Sequence, residues 1–336
     1  MSYKRLEITK FGGPEVMRIV EENDLPEPAG GEVRVKVLAA GAAFTDIMIR
    51  EGKYPELMQK PPFTLGYDMV GRIDKIGPGV DQFSVGRLVS DLMVIGACSE
   101  YICVPAERLT PVPDALDPAE AVSLVLSYVT AYQMLNRIAE TKPGQRILIH
   151  GAGGAVGSAM LQLAGLKDVE VYGTASKPKH RLISSLGAIP IDYREEDFTE
   201  RIRALASPGV DAVFDPIGGV NLKRSFSVLR TGGKLVSYGF YNSVMGMGGN
   251  VPLDFIKLKV WNILPNSRST AFYSIGATRK KHPAWFSEDL AFLFDLLKER
   301  KISPIIDRKL PISRAAEAYE LIAGARVSGK LVFDLS

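Results

Sequence analysis

A glycine-rich turn is the clearest sign of chemistry in the sequence. The residues that we expect to approach bound phosphates there are Gly151, Gly154, Ala155, Val156 and Gly157. The apolar run Ile147–His150 leads into the turn and an amphipathic helix follows it, which is the strand–turn–helix context of a dinucleotide-binding site. The N–H groups and the positive dipole end at the start of that helix attract a pyrophosphate. The spacing is G-x-x-G-x-x-G with one further glycine, so a turn that is tight for structural reasons alone is the alternative.

The end of the next strand indicates which dinucleotide is bound. Sites for NAD usually carry Asp or Glu about 20 residues after the first glycine, where the carboxylate binds the ribose hydroxyls. The strand that starts at Glu170 ends instead in hydroxyl-bearing and basic residues, namely Thr174, Ser176, Lys177, Lys179, His180 and Arg181. Such a group suits the 2′-phosphate of NADPH through charge-assisted hydrogen bonds. We therefore predict NADPH as the cofactor, and the alternative is a solvated basic helix start.

Composition argues against several other classes of protein. The 336 residues carry a formal net charge of +3, so nucleic acid is not expected as the main partner. No apolar run approaches the length of a membrane span, and the charged first residues do not resemble a signal peptide. Two cysteines cannot supply a disulfide framework or a cysteine-rich metal site. These features predict a cytoplasmic protein that needs no membrane.

The elements that must position the candidate residues follow two patterns. The first third of the sequence shows short strands separated by turns with Gly or Pro, such as Glu32–Ala39 and Met69–Ile76. A helix over about 118–137 follows, and short apolar strands then alternate with amphipathic helices up to a last strand at Ser269–Ile275. Regular alternation of this kind is typical of a doubly wound parallel sheet. A chain of this length favours two domains. We predict the α/β class, with a Rossmann sheet and a second, mostly-β domain.

Further motifs, in this order, carry a resemblance to a known family. They are AAGAAFTDIMIREGKYP at 39–55, GYDMVG at 66–71, YVTAY at 128–132, HGAGGAVG at 150–157, GTAS…LGA at 173–188, IDYREED at 191–197, VFDPIGG at 213–219 and LRTGGKLVSYG at 229–239. Over nearly its whole length the sequence resembles the quinone oxidoreductase branch of the medium-chain dehydrogenase/reductase superfamily. The resemblance implies a GroES-like catalytic domain over 1–125 and 277–336, and a Rossmann NADP-binding domain over 126–276. It also implies a cofactor between the domains and, commonly, a homodimer formed through the Rossmann sheets.

Carried over position by position, the resemblance implies more cofactor contacts. From the 2′-phosphate to the nicotinamide they are Ser176, His180, Tyr193, Tyr238, Gly239, Phe240, Phe272, Tyr273 and Thr130. The family usually has lysine where this chain has His180, so Lys177 or Lys179 is the alternative carrier of the charge. For the aromatic residues the alternative is packing in the core or at a dimer edge.

The same resemblance identifies what this sequence lacks. Zinc-dependent members of the superfamily carry Cys-His-Thr-Asp and Gly-His-Glu, where this chain has Ala43-Phe-Thr-Asp46 and Gly66-Tyr67-Asp68. The chain has only three histidines, and no set of three metal ligands is expected to converge. We therefore predict no metal site, and we expect Asp46 to hold its own loop.

The absence of zinc ligands bears on the reaction. Oxidation of an alcohol needs a group that stabilises the developing alkoxide, which the metal ion does in zinc enzymes. In a quinone or an α,β-unsaturated carbonyl, conjugation spreads the charge that hydride transfer creates, so hydrogen-bond donors near the oxygen suffice. Tyr54 and Tyr67 are the candidate donors, and Thr130 is expected near the nicotinamide ribose. The family often has Asn at the position of Ala43, and its absence favours an enone with a hydrophobic body.

The sequence thus predicts an NADPH-dependent reductase of small-molecule quinones or enones that transfers hydride directly. Two alternatives stay open. One is an NADPH-binding sensor or structural protein without physiological turnover. The other is an enoyl-thioester reductase, for which Arg279–His282 is the only basic entrance for an acyl carrier. The segment Phe240–Ile263 is interpreted either as a mobile flap or as an ordinary long loop.

Overall fold

The computed structural model describes all residues from Met1 to Ser336. The chain divides into two compact units, and the first consists of Met1–Val129 together with Ala284–Ser336. The second unit is Thr130–Pro283. The domain limits expected from the sequence, 1–125 with 277–336 and 126–276, lie close to these bounds, and as limits of functional domains they stay a prediction.

Strands dominate the first unit and alternate with helices in the second. The strands are β1 (Tyr3–Ile8), β2 (Met17–Glu22), β3 (Glu32–Ala42), β4 (Phe63–Thr64), β5 (Asp68–Ile76), β6 (Leu88–Leu92), β7 (Tyr101–Pro105), β8 (Thr110–Pro111), β9 (Arg146–His150), β10 (Glu170–Ala175), β11 (Ala188–Asp192), β12 (Val210–Asp215), β13 (Leu229–Ser237), β14 (Ser269–Phe272), β15 (Ile306–Pro311) and β16 (Lys330–Asp334). The helices are α1 (Phe44–Arg50), α2 (Pro118–Ser123), α3 (Val129–Gln133), α4 (Ala155–Gly165), α5 (His180–Ser185), α6 (Phe198–Leu205), α7 (Val220–Ser227), α8 (Tyr241–Val244), α9 (Val251–Ile263), α10 (Ile275–Lys281), α11 (Pro283–Lys298) and α12 (Ala315–Ala323). None of these helices is long and apolar enough to cross a membrane.

In the first unit the strands form two sheets. The larger sheet has the order β15-β16-β3-β5-β6-β8, with β7 also paired to β3, and the smaller has the order β2-β1-β4. Strand β3 shows how the sequence produces this core, because Val33, Val35 and Val37 alternate with polar residues and have no exposed surface. A period of two places these valines on one face of the sheet. The prediction of a mostly-β unit is confirmed.

In the second unit six parallel strands form one sheet with the order β11-β10-β9-β12-β13-β14. The chain runs outwards from β9 to one edge and then from β12 to the other, as in a doubly wound Rossmann sheet. Leu148, Val213 and Leu235 of the central strands are completely buried in one cluster with Leu222 and Leu258 of the flanking helices. The strand order reverses between β9 and β12, and ligands of such sheets bind at the carboxyl ends of the strands beside this point. The predicted Rossmann fold is confirmed.

The segment 240–263 is mostly helical, so its interpretation as an ordinary long loop is wrong, while its interpretation as a mobile flap stays a prediction. Helix α9 begins after Asn250, whose side-chain oxygen accepts the N–H of Leu253 at 3.1 Å, and Pro252 occupies its first turn. An Asn cap followed by proline is a helix start signal. The glycines that suggested a loop are confined to 246–249, between α8 and α9.

Candidate functional site

The glycine-rich turn connects β9 to α4 at the carboxyl edge of the parallel sheet. Gly151 has a φ of +66°, which glycine adopts without steric cost. A Cβ atom on Gly157 would lie 2.4 Å from the carbonyl oxygen of Gly151 and 2.7 Å from the Cα of Ala152. Any other residue at position 157 would therefore push α4 away from the turn. On Gly154 the same atom would meet only the Gly151 oxygen, at 3.4 Å.

The start of α4 offers backbone donors to a ligand. The residue before its first turn is Gly154, which has no side chain to cap the helix. Since the first N–H groups of a helix have no intrahelical acceptor, those of Ala155, Val156 and Gly157 are available to a bound group. Together with the helix dipole they form a binding site for an anion. This donor set, with the close approach at Gly157, fits the diphosphate of a dinucleotide.

The ends of β10 and β11 lie side by side, because the two strands are parallel neighbours. Between them is a surface pocket of about 440 Å³ lined by Lys177, Pro178, Asp192, Arg194, Glu195 and Glu196. Ser176 follows β10 and is half-buried, and Tyr193 follows β11 and is exposed. The Nε2 of His180 lies 3.1 Å from the carbonyl oxygen of Ala175. The structure thus brings Ser176, Lys177, His180 and Tyr193 to these two neighbouring strand ends.

Arg194 is a basic residue of this pocket that the sequence reasoning missed. Its guanidinium lies 5.7 Å from the centre of the Tyr193 ring. Two of the acidic residues are engaged locally, since Asp192 accepts the N–H of Arg194 at 3.0 Å and Glu196 forms an ion pair with Arg201 at 3.3 Å. Lys177 and Arg194 are the positively charged side chains of the pocket, and a 2′-phosphate of NADP would pair with them. The sequence feature that could have identified Arg194 is a basic residue just after β11, the strand that pairs with β10.

Thr174 differs from the other predicted contacts. It is buried, and its Oγ1 lies 3.0 Å from the Nδ1 of His150 inside the unit. Its hydroxyl is therefore hydrogen-bonded to His150 at the end of the neighbouring strand β9. Direct contact of Thr174 with the cofactor stays a prediction.

The aromatic residues predicted near the nicotinamide form a cluster beside β13 and β14. The rings of Phe240 and Phe272 stack with centroids 5.1 Å apart, and Phe255 packs against both. The hydroxyl of Tyr273 donates to the side-chain oxygen of Gln133 at 2.8 Å. These contacts agree with the packing alternative for all three residues. Thr130 is buried in α3 of the same unit.

Gly239 and Tyr238 lie directly after β13. A Cβ atom on Gly239 would lie 2.8 Å from the carbonyl oxygen of Pro216, so only glycine allows these two loops to pass each other. Burial raises the pKa of Tyr238, which keeps its hydroxyl protonated. Their predicted role as cofactor contacts stays a prediction.

In the first unit the structure brings the two predicted tyrosines together. The hydroxyl oxygens of Tyr54 and Tyr67 are 2.7 Å apart and either can donate, while the rings meet edge to face. Tyr67 is completely buried and Tyr54 is partly exposed. Burial raises the pKa of Tyr54 to about 12 and that of Tyr67 well above its usual value. Both hydroxyls therefore keep their protons at neutral pH, and the pair has one proton left to donate outwards.

The two stretches that carry zinc ligands in zinc-dependent relatives also contain Asp46 and Asp68, and both carboxyl groups are engaged in other contacts. Asp46 accepts the N–H of Ala43 at 2.8 Å and closes the first turn of α1, so its predicted structural role is confirmed. Burial raises the pKa of Asp46 to about 7. Asp68 forms a buried ion pair with Lys330, whose Nζ lies 3.0 Å from the carboxylate. No group of three or more His, Cys, Asp or Glu residues is arranged to hold a metal ion.

Comparison with known proteins places the chain in a family. The family described as alcohol dehydrogenase GroES-like domain matches residues 29–114, and the family described as zinc-binding dehydrogenase matches residues 186–333. The synaptic vesicle membrane protein VAT-1 homolog of Danio rerio is 31% identical, and the match covers 98% of this chain and 70% of that protein.

Two solved structures resemble this chain over almost its whole length, in fold and in sequence. Escherichia coli quinone oxidoreductase complexed with NADPH has a TM-score of 0.86 and 28% identity, covering 98% of this chain and 99% of that one. The CurK enoyl reductase has a TM-score of 0.85 and 25% identity, covering 99% of each chain. The chain belongs to the medium-chain dehydrogenase/reductase superfamily, in its quinone oxidoreductase-like branch.

Proposed function

We propose that this protein is an NADPH-dependent oxidoreductase that reduces quinones or α,β-unsaturated carbonyls without zinc. The observation that carries the proposal is the Tyr54–Tyr67 hydroxyl pair, in which Tyr67 stands at the position of a histidine ligand in zinc-dependent relatives. A pair of protonated hydroxyls is a hydrogen-bond donor and not a Lewis acid. It therefore suits a substrate whose own conjugation spreads the negative charge.

The cofactor part of the proposal is supported by the second unit. The uncapped start of α4 binds the diphosphate, while Ser176, Lys177 and Arg194 at the ends of β10 and β11 bind the 2′-phosphate. The similar Escherichia coli quinone oxidoreductase is complexed with NADPH. When bound, NADPH supplies the hydride for the reduction.

The role of the tyrosine pair follows from its protonation. Tyr67 is buried and its hydroxyl reaches Tyr54, so the simplest arrangement is that Tyr67 donates to Tyr54 and Tyr54 donates to the substrate oxygen. With NADPH bound, hydride transfer would place negative charge on that oxygen, and the Tyr54 hydroxyl would donate its hydrogen bond to that charge. Because the pKa of Tyr54 is raised to about 12, the hydroxyl stabilises the developing charge and solvent delivers the final proton. Thr130 is proposed to lie beside the nicotinamide ribose.

The test is NADPH oxidation by chelator-treated protein with ortho-quinones, para-quinones and hydrophobic enones, with NADH as the parallel control. We expect turnover that survives chelation and prefers NADPH. Turnover that requires added zinc would contradict the zinc-free mechanism. NADPH binding without turnover on any acceptor would favour a sensor or structural role, while turnover only with enoyl thioesters would favour the reaction named for the CurK relative.

We also propose that two copies associate through the edge of the Rossmann sheet. Strand β14 has only β13 as a neighbour in the sheet, and α9 lies beside it through the Asn262 side chain. Helix α9 exposes an apolar stripe at helical spacing, formed by Leu253, Ile256, Val260 and Ile263. Sedimentation of the Ile256→Glu/Val260→Glu variant tests this, with Val85→Glu as an exposed control in the first unit. A wild-type monomer, or a variant that stays dimeric, would refute the arrangement.

The cytoplasmic location stays a prediction that imaging of the tagged protein would check.

A further inference from the structure

A buried polar network lies beneath the proposed cofactor site and takes no part in the mechanism above. Its centre is His150, the last residue of β9, whose side chain is almost completely buried. The Nδ1 of His150 lies 3.0 Å from Thr174 Oγ1, and its Nε2 lies 3.0 Å from Ser225 Oγ. Ser225 continues the network to Asp215 at 2.7 Å. The ring of Phe198 packs edge-on against the imidazole, at 4.6 Å.

The direction of each hydrogen bond in this network follows from Asp215. One carboxylate oxygen of Asp215 accepts the N–H groups of Ile217 and Gly218, at 2.7 and 3.1 Å. The other accepts from Asn221 at 3.0 Å and from Ser225 at 2.7 Å. All four partners are donors, so Asp215 acts as an acceptor only.

Ser225 has a single hydroxyl proton, and it uses this proton in the hydrogen bond that it donates to Asp215. The Oγ of Ser225 must then accept from the Nε2–H of His150. A neutral imidazole has one donor and one acceptor, so Nδ1 accepts the hydroxyl proton of Thr174. The network runs in one direction, from Thr174 through His150 and Ser225 to Asp215.

The network joins the ends of three adjacent strands. His150 directly precedes the turn at Gly151, Thr174 lies two residues before Ser176 at the end of β10, and Asp215 fixes the turn after β12. In the sheet these strands are neighbours in the order β10-β9-β12. The loops after β9 and β10 belong to the proposed NADPH site, and the loop after β12 packs against Gly239, a predicted cofactor contact, at Pro216. A displacement of one loop would therefore break hydrogen bonds that hold the other two.

We propose that His150 is a positioning residue for the dinucleotide site, holding the three loops in place as the neutral imidazole with its proton on Nε2. This inference rests on the proposed binding of NADPH. Burial lowers the pKa of His150, and the two charged groups that act on it are Asp215, which raises the pKa, and Arg224, which lowers it. The imidazole therefore stays neutral at the pH at which an exposed histidine is half protonated.

The protonation is tested by NMR of the full chain with ¹⁵N-labelled histidine, in the absence of NADPH. With only three histidines in the sequence, His150 is assigned by comparison with the His150→Gln variant. We expect one protonated nitrogen, Nε2, and one unprotonated nitrogen, Nδ1, unchanged on acidification from pH 8 to pH 6, in the range about the usual histidine pKa near 6.5. A proton on Nδ1, or protonation of the His150 ring within this pH range, would overturn the assignment.

The positioning role is tested by the affinity for NADPH. We expect Thr174→Val and Ser225→Ala each to raise the Kd about tenfold, and the double variant to show less than the product of the two effects, because both act through His150. His150→Gln keeps a donor near the Nε2 position and should recover part of the affinity that His150→Phe loses. The matched control is Thr141→Val, a buried threonine before the amino end of β9 whose Oγ1 bonds to the carbonyl of Leu135 at 2.9 Å.

The outcomes separate this inference from the proposed function. A wild-type protein that binds no NADPH would refute the function and the positioning role together. Wild-type binding with an unchanged Kd in folded Thr174→Val and Ser225→Ala variants would overturn the positioning role alone. An equal loss in the Thr141→Val control would also overturn it, since the effect would then be one of general stability.

Discussion

Replacing Lys177 and Arg194 by alanine should reduce the affinity for NADPH far more than the affinity for NADH. Both side chains line the pocket at the ends of β10 and β11, where we propose that the 2′-phosphate binds. NADH lacks that phosphate and loses no contact when the charge is removed. The discrimination between the two cofactors is therefore the quantity that the substitution changes.

The size of the effect follows from exposure. A buried charge-assisted hydrogen bond contributes about 1.5–3 kcal/mol, but Lys177 and Arg194 are both exposed and water screens them. Exposed ion pairs contribute about 0.2–1 kcal/mol each. Two such contacts to one phosphate give about 0.4–2 kcal/mol, which corresponds to a fall of about 2–30-fold in the preference for NADPH.

The assay is the Kd of each cofactor by fluorescence titration at low and at moderate salt. The preference of the wild type should decrease as salt rises, while that of the double variant should change little. Lys142→Ala, an exposed lysine before the amino end of β9, is the matched control and should leave both values unchanged. An unaltered preference in the Lys177→Ala/Arg194→Ala variant, or an equal loss for NADPH and NADH, would refute the assignment of this pocket to the 2′-phosphate.

Three further predictions concern the first unit. Tyr67→Phe removes the partner of the Tyr54 hydroxyl, so kcat for a quinone should fall about fivefold, for a net hydrogen bond of about 1 kcal/mol, while the Kd of NADPH stays unchanged; an unchanged kcat would show that Tyr54 needs no support. Asp68→Asn leaves Lys330 charged and buried, and should lower the free energy of unfolding in urea by about 3–5 kcal/mol, with recovery in Asp68→Asn/Lys330→Met; no recovery would contradict the ion-pair explanation. Asp46 has a pKa of about 7 in the folded chain, above its unfolded value near 3.9, so it stabilises the fold most when protonated. Relative to Asp46→Asn, the wild type should therefore lose stability as the pH rises from about 4 to 7, by up to about 1.4 kcal/mol per pH unit, and parallel pH curves would refute this.

Much of the fold could be predicted from patterns that are local in the sequence. Alternating valines predict β3, and the apolar run before Gly151 predicts β9 with the helix that follows. The element boundaries that were predicted wrongly depend on single residues that cap a helix. The strand predicted over Ser269–Ile275 ends at Phe272, because Ser274 accepts the N–H of Ala277 at 3.3 Å and starts α10. Glycines near 246–249 concealed α9 for a similar reason, since one Asn cap outweighed them.

The candidate site was less accessible to sequence reasoning, because its contacts join distant parts of the chain. Tyr54 and Tyr67 could be proposed separately, but their hydroxyl contact depends on how the segment after α1 meets the residue before β5. Arg194 was missed because parallel pairing of β10 with β11, and not distance along the sequence, brings it beside Lys177. For Thr174, the residue type suggested a phosphate contact, whereas its hydrogen bond to His150 is visible only in three dimensions.

The two stretches that carry zinc ligands in zinc-dependent relatives hold side chains that are engaged in other contacts in this chain. A metal ligand must present a lone pair to the ion, but Asp46, Asp68 and Tyr67 each make other contacts here. Asp46 uses one oxygen to close α1, and its second oxygen is buried without a hydrogen-bond partner, in keeping with its raised pKa. Asp68 forms an ion pair with Lys330, and the hydroxyl of Tyr67 forms a hydrogen bond with that of Tyr54. The change from histidine to tyrosine at position 67 thus does more than remove a ligand. It adds a hydroxyl donor, which is the kind of group that the proposed reduction of a conjugated carbonyl uses.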